Sequence, residues 1–172
     1  MVARKVFSFL TREQEAAVLA ACNPVRTRAG SLLVCKGELS RDLYIITDGE
    51  YKVFDDERGE DLVLALLHRG DIFGEMSFLD GEPRSASVRA AVDGSALKIG
   101  HDELPGLMSR SPDTALALVL GLARIVTYRL RIADDALSLS MEENQEEVDQ
   151  DELQRLIDEM HLSVHIELSE DL

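Results

Sequence analysis

Basic residues are scarce in this chain. Eighteen Lys and Arg stand against thirty-three Asp and Glu in 172 residues, a formal net charge of −15. Nucleic acids and anionic membrane surfaces are bound through Lys and Arg, so the balance argues against both as partners. Cysteine is nearly absent. Cys22 and Cys35 show neither metal-ligand nor redox spacing, the pattern of two buried thiols in a reducing cytoplasm. The longest apolar run, Ala115 to Ala123, has nine residues, well short of the roughly 20 that a membrane span needs. Met1 to Leu10 has basic residues but no apolar stretch of signal-peptide length. These absences predict a soluble cytoplasmic protein. Length is not lacking: a single core in a chain of this size buries roughly 70% of the unfolded surface, so no metal or disulfide is required.

The negative charge is unevenly spread. Residues 1–132 hold 19 acidic and 17 basic residues, a net of −2, whereas Ala133 to Leu172 hold 14 acidic residues and only Arg155 as a base. The expectation is a balanced globular part with an acidic appendage. Ten of the eleven glycines lie between Gly30 and Gly106, which makes the middle turn-rich.

Thr11 followed by Gln14 has the form of a capping box, so a first helix is expected from about Arg12 to Cys22, ending before Pro24. Short β-rich runs then alternate with glycine turns: Leu32–Cys35, Leu43–Thr47, Tyr51–Phe54, Leu62–Leu67, Ala86–Val92 and Ala96–Ile99. Many short strands at this spacing predict a mainly β roll or jelly roll with flanking helices. Tyr44, Tyr51 and Phe54 at strand spacing read as core. Asp102 to Met108 reads as a short helix or turn. Ser111-Pro112 opens a long helix that runs to about Met141. Val119, Ala123, Val126, Leu130, Ala133 and Leu137 form a heptad-like stripe on it, while Leu118, Leu122, Ile125, Ile132 and Leu139 form a second. One stripe for the β domain and one for a partner helix predicts a homodimer; one wide stripe within a single chain is the alternative. Three parts follow: 1–112, a β roll with its first helix; 113–141, the long helix; and 142–172, an acidic tail. Within the tail, Glu142 to Asp151 reads as a linker. Leu153, Leu156, Ile157 and Met160 fall at helical spacing, and Val164, Ile166 and Leu168 alternate like a strand. His161 and His165 are four apart, but that alternation favours a solvated tail over a metal site, so no metal is expected.

The chemistry-bearing stretch runs from Gly70 to Val88. Gly74 lets the backbone approach a ligand. Glu75 to Leu79 can form one helical turn whose free N–H groups favour an anion. Arg84 offers a planar fork of donors for two phosphate oxygens, and Ser85 adds a hydroxyl. Glu75 supplies an acceptor for a sugar hydroxyl. A glycine, a helix start, one carboxylate and one arginine describe a site for a small sugar phosphate. The plainer alternative is that Arg84 pairs with Glu75 or Glu82 on the surface.

Phe73-Gly74-Glu75, four mostly apolar residues, a three-residue turn and Pro83-Arg84 followed by small residues resemble the phosphate-binding cassette of the cyclic nucleotide-binding domain family. That family includes catabolite-activator-type regulators and the regulatory subunits of cyclic-AMP-dependent kinase. The likeness extends from about Phe9, through the glycines at 30, 37, 49, 70 and 74, to the long helix. By this resemblance the ligand-binding set is Gly74, Glu75, Met76, Ser77, Arg84, Ser85 and Ala86. Arg84 and Ser85 would take the cyclic phosphate, Glu75 the ribose 2′-hydroxyl, and Gly74 would contribute backbone. The long helix would cover the base, with Arg129, Leu130 and Ala133 within reach.

No nucleophile, base and orienter set appears, so an enzyme is not expected. The resemblance implies a cyclic nucleotide sensor, with cyclic AMP as the ligand or cyclic GMP as the alternative, and no other cofactor. Its output would pass through the long helix and the acidic tail to a protein partner with a basic surface. Two other readings compete: a ligand-free docking module, and a transcription regulator without its DNA-binding part. The roughly thirty residues after Met141 contain one Arg and no Lys, unlike a recognition helix.

Overall fold

The computed structural model describes residues 9–55 and 61–142. Residues 143–151 of the expected linker, the amphipathic segment, the alternating segment and the two tail histidines lie outside the described residues.

Helix α1 (Arg12–Ala20) starts at the capping box: Gln14 N–H donates to Thr11 Oγ1 at 3.3 Å, and Thr11 N–H to Gln14 Oε1 at 2.9 Å. Eight strands follow among the described residues: β1 (Asn23–Thr27), β2 (Leu32–Val34), β3 (Leu43–Asp48), β4 (Tyr51–Asp55), β5 (Leu62–Leu67), β6 (Ile72–Phe73), β7 (Ser87–Ala90) and β8 (Gly94–Ile99). They form two four-stranded antiparallel sheets, in the orders β1-β8-β3-β6 and β2-β7-β4-β5. Helix α2 (Glu75–Asp80) interrupts the roll, and α3 (Glu103–Arg110) and α4 (Pro112–Glu142) follow it. The expected β roll with a long C-terminal helix is the observed fold.

Two differences have physical causes. Helix α1 stops at Ala20, two residues earlier than expected, because the chain turns at once into β1. That strand was not anticipated, since Pro24 cannot donate to a ladder. It is tolerated here because β1 is an edge strand, paired only with β8.

Two apolar cores hold the layers together. Between the sheets, Val34, Tyr44, Ile46, Tyr51, Leu67, Phe73, Val88 and Ala90 pack, with the rings of Tyr44 and Phe73 stacked at 4.7 Å. Between the first sheet and the helices, Val18, Leu43, Ile45, Phe78, Ile99 and Leu107 meet Leu118, Leu122 and Ile125 of α4. Phe54 is likewise buried, so all three aromatics at strand spacing are structural. Leu118, Leu122 and Ile125 of the second stripe of α4 are on the core and Ile132 is half-buried, whereas Leu130 and Leu137 on the first are 59% and 55% exposed. Cys22 is part-buried and desolvation pushes its thiol up to about 11. Cys35 is exposed, contrary to the expectation of two buried thiols, because it lies in the turn just past β2. Among the described residues, no helix is long and apolar enough to cross a membrane, and no cluster of His, Cys, Asp or Glu could hold a metal.

Gly121 in α4 is buried under Phe9, and a Cβ there would collide with the ring. Ala is favoured over Gly in a helix by about 1 kcal/mol, but overpacking costs about 1–3 kcal/mol. Gly121→Ala is therefore expected to lower the melting temperature, and adding Phe9→Ala to recover part of the loss. A Gly121→Ala protein more stable than the native chain would show that Phe9 moves aside freely.

Candidate functional site

Gly74 caps α2 in the left-handed conformation, φ +84°, directly after β6. The backbone turn leaves the carbonyl of Gly74 facing the next strand's approach, where Arg84 Nη1 donates to it at 3.3 Å. Arg84 Nε donates to Ser40 Oγ at 2.9 Å and Nη2 to the carbonyl of Asp42 at 2.7 Å. Three of the five N–H donors of a guanidinium are thereby used, all on neutral acceptors. The side chain is only 4% exposed and forms no ion pair among the described residues. Burial draws its pKa down, offset in part by the fields of Tyr44, Asp42, Glu38 and Glu75. The expected alternative, pairing with Glu75 or Glu82, is not what the chain does.

Glu75 is buried at the first position of α2 and binds Arg129 of α4 instead, Nη1 to Oε1 at 2.6 Å. Arg129 Nη2 also donates to the carbonyl of Ile72 at 2.9 Å. The long helix thus reaches the cassette through one of the three residues singled out for it, while Leu130 and Ala133 are exposed. Met76 and Ser85 lie together at the surface, Ser85 Oγ 3.9 Å from Met76 Sδ. Ala86 is half-buried, and Ser77 is buried within α2.

Sequence reading missed Ser40 and Asp42, which stand 44 and 42 residues before Arg84. A serine and a main-chain carbonyl carry no local signal. The carboxylate of Asp42 pairs with Lys98, Oδ2 to Nζ at 2.9 Å, and not with Arg84. That hydrogen bond is the main cause raising the Lys98 pKa.

A buried arginine with two unused donors, beside a buried carboxylate held by a helix that belongs to another layer, can accept a small ligand carrying an anionic and a hydroxyl group. Residues 24–111 match the family described as the cyclic nucleotide-binding domain. The chain is 38% identical over 111 residues to the cyclic AMP receptor protein of Thermus thermophilus, covering 64% of this chain and 50% of that protein. It is 30% identical over 108 residues to the cAMP-dependent protein kinase regulatory subunit of Aspergillus niger, covering 63% and 26%. Among solved structures, the N-terminal domain of a transcriptional regulator from Streptomyces coelicolor A3(2) superposes with a TM-score of 0.66 at 31% identity, covering 80% of this chain and 95% of that one. The chain matches about half the length of the bacterial receptor proteins. With its family match, its paired sheets and its cassette, the chain belongs to the cyclic nucleotide-binding domain family.

Proposed function

We propose that this chain captures a cyclic nucleotide, cyclic AMP or alternatively cyclic GMP, and reports it by shifting α4. One observation carries the reading: Arg84 is a buried cation whose protein partners are all neutral. A desolvated charge without a counter-charge is costly, and a phosphate with an oxygen for each unused donor removes that cost. Ser85, exposed beside it, adds a hydroxyl to the same anion, and Gly74 lends backbone. Glu75 takes the ribose hydroxyl. Met76, Ser77 and Ala86 complete the ligand-binding set as its flanks.

The ion pair from Arg129 to Glu75 ties α4 to the cassette. A ribose hydroxyl on Glu75 competes for that carboxylate, so ligand and helix position are linked. The ligand shifts the helix by as much as its affinity differs between the two arrangements. Output then runs through the exposed stripe of α4, as a homodimer, and through the acidic tail to a protein with a basic surface, in the cytoplasm and without nucleic acid, membrane or catalysis. The corresponding parts are the roll with its first helix (1–112), the long helix (113–141) and the tail (142–172).

Thermal unfolding of the chain with cyclic AMP and with cyclic GMP tests the reading. Ligand at a hundredfold its dissociation constant is expected to stabilise by about 2.7 kcal/mol. No shift with either nucleotide at millimolar concentration would overturn it in favour of a docking module.

A further inference from the structure

Main chain and side chain of Arg84 are both fastened to one short segment, residues 37–42, between β2 and β3. Gly37 N–H donates to the Arg84 carbonyl and Arg84 N–H to the Glu38 carbonyl, each at 2.9 Å. Ser40 Oγ and the Asp42 carbonyl take Nε and Nη2. The segment belongs to no strand, so the direction of the two unused donors of Arg84 depends on what holds it in place.

Two side chains anchor it from behind. Asp42 is paired with Lys98 on β8. Arg41 stands between the two acceptors and makes its own contacts elsewhere. Its Nη2 donates to His101 Nε2 at 3.0 Å; since a guanidinium only donates, Nε2 is the acceptor and the ring proton sits on Nδ1. The guanidinium also fills the space beside Gly81 at the end of α2, where an added Cβ would meet Nη2 at 3.0 Å and Cζ at 3.1 Å. His101 in turn packs edge-on against Phe78, a core residue of α2, with ring centroids 5.4 Å apart. Arg41 therefore ties the acceptor segment to the far end of the cassette helix and to the turn after β8. Its Nε is buried with no acceptor. A buried donor left unpaired is unfavourable, so an arginine here is poorly explained by stability alone.

We propose that Arg41, braced by His101, is a positioning residue for Arg84, holding Ser40 and Asp42 where they aim its two free donors at the anion. This rests on the reading of the cassette as an anion site. Nitrogen-15 NMR of the unliganded full chain tests it through hydrogen exchange at Arg84 Nε–H, which requires no ligand. Arg41→Met is expected to speed that exchange at least about tenfold, the equivalent of one charge-assisted hydrogen bond at the weak end of its range. His101→Phe, which keeps a ring against Phe78 but removes the acceptor, is expected to do the same, and serves if Arg41→Met does not fold. His101→Gln, which keeps an acceptor, is expected to stay near native, as is Phe9→Ala, a destabilising change at the α4 packing. The second readout is the affinity ratio for the two phosphorothioate diastereomers of cyclic AMP, which differ in the exocyclic oxygen replaced by sulfur. It is expected to fall toward one in Arg41→Met and His101→Phe, whereas general destabilisation would weaken both diastereomers equally. Native exchange at Arg84 Nε–H in the variants would overturn the proposal. Faster exchange in a chain whose native form binds no cyclic nucleotide would leave the positioning role standing and overturn the functional reading alone.

Discussion

Arg84→Ala is expected to abolish the rise in melting temperature proposed for the native chain with cyclic nucleotide. Each charge-assisted hydrogen bond contributes about 1.5–3 kcal/mol, and Arg84 has two donors to offer beyond the three that the protein uses. Losing both weakens binding by about two to four orders of magnitude, since 1.4 kcal/mol is about tenfold. Stability of the unliganded chain is expected to change much less. Truncation strands Ser40 Oγ and two carbonyls, but it also removes a desolvated charge, and the vacated space is polar enough for water. Arg84→Lys separates charge from shape. A lysine keeps the positive charge, but its ammonium is a point and cannot span Ser40, Gly74 and Asp42 while addressing a phosphate. It is expected to bind with an intermediate affinity. Calorimetry on the three proteins checks the order native, Lys, Ala; an Ala variant that responds like the native chain would remove Arg84 from the site.

What was legible in the sequence was local. The cassette from Gly70 to Val88 reads as a site because its glycine, carboxylate and arginine fall within eleven residues, so their meeting depends on one helical turn and one loop. The capping box at Thr11 is legible for the same reason, being closed within three residues. What escaped is long-range. Two of the three acceptors that orient Arg84, Ser40 Oγ and the Asp42 carbonyl, come from a segment more than forty residues earlier, and one of these two is a main-chain carbonyl, which every residue possesses. Arg129 was within a set of three helix residues, yet its partner is fixed by how α4 lies on α2, 54 residues away in sequence. Strand β1 was hidden by Pro24, which is informative only once the strand's place in the sheet is known. Burial of Cys35 was misjudged because a thiol at the end of an apolar run, Leu32-Leu33-Val34, reads as core whether or not the strand has ended.

The acidic charge likewise changes meaning once the fold is present. It discourages anionic partners only where it is concentrated, in the tail. Within the roll, a single buried guanidinium sets the local field, and the surrounding carboxylates are engaged elsewhere: Asp42 with Lys98, Glu75 with Arg129. A chain of strongly negative net charge can therefore hold an anion, because short-range desolvated contacts outweigh distant screened ones.

Gly74→Ala is expected to damage both the fold and the site. Gly74 sits at φ +84°, where an L side chain costs about 1–2 kcal/mol. A Cβ at this position would also lie 2.5 Å from Arg84 Nη1 and 2.6 Å from the Asp42 carbonyl oxygen. The carbonyl belongs to the backbone entering β3 and cannot swing aside as a side-chain tip can. Relief requires α2 and residues 37–42 to separate, which pulls apart two of the three acceptors of Arg84. Overpacking of this kind adds about 1–3 kcal/mol. Since 1 kcal/mol shifts the melting temperature of a domain this size by about 2–4 °C, a fall of several degrees is expected. Gly30→Ala supplies the control: φ there is +82°, but nothing lies within 4 Å of the added Cβ. It carries the conformational strain without the collision. The difference in melting temperature between the two variants measures the collision, and their nucleotide affinities separate fold from site. Gly30→Ala is expected to bind as the native chain does and Gly74→Ala to lose binding. Equal affinities would mean that the close approach of Gly74 to Asp42 does not hold Arg84 in place.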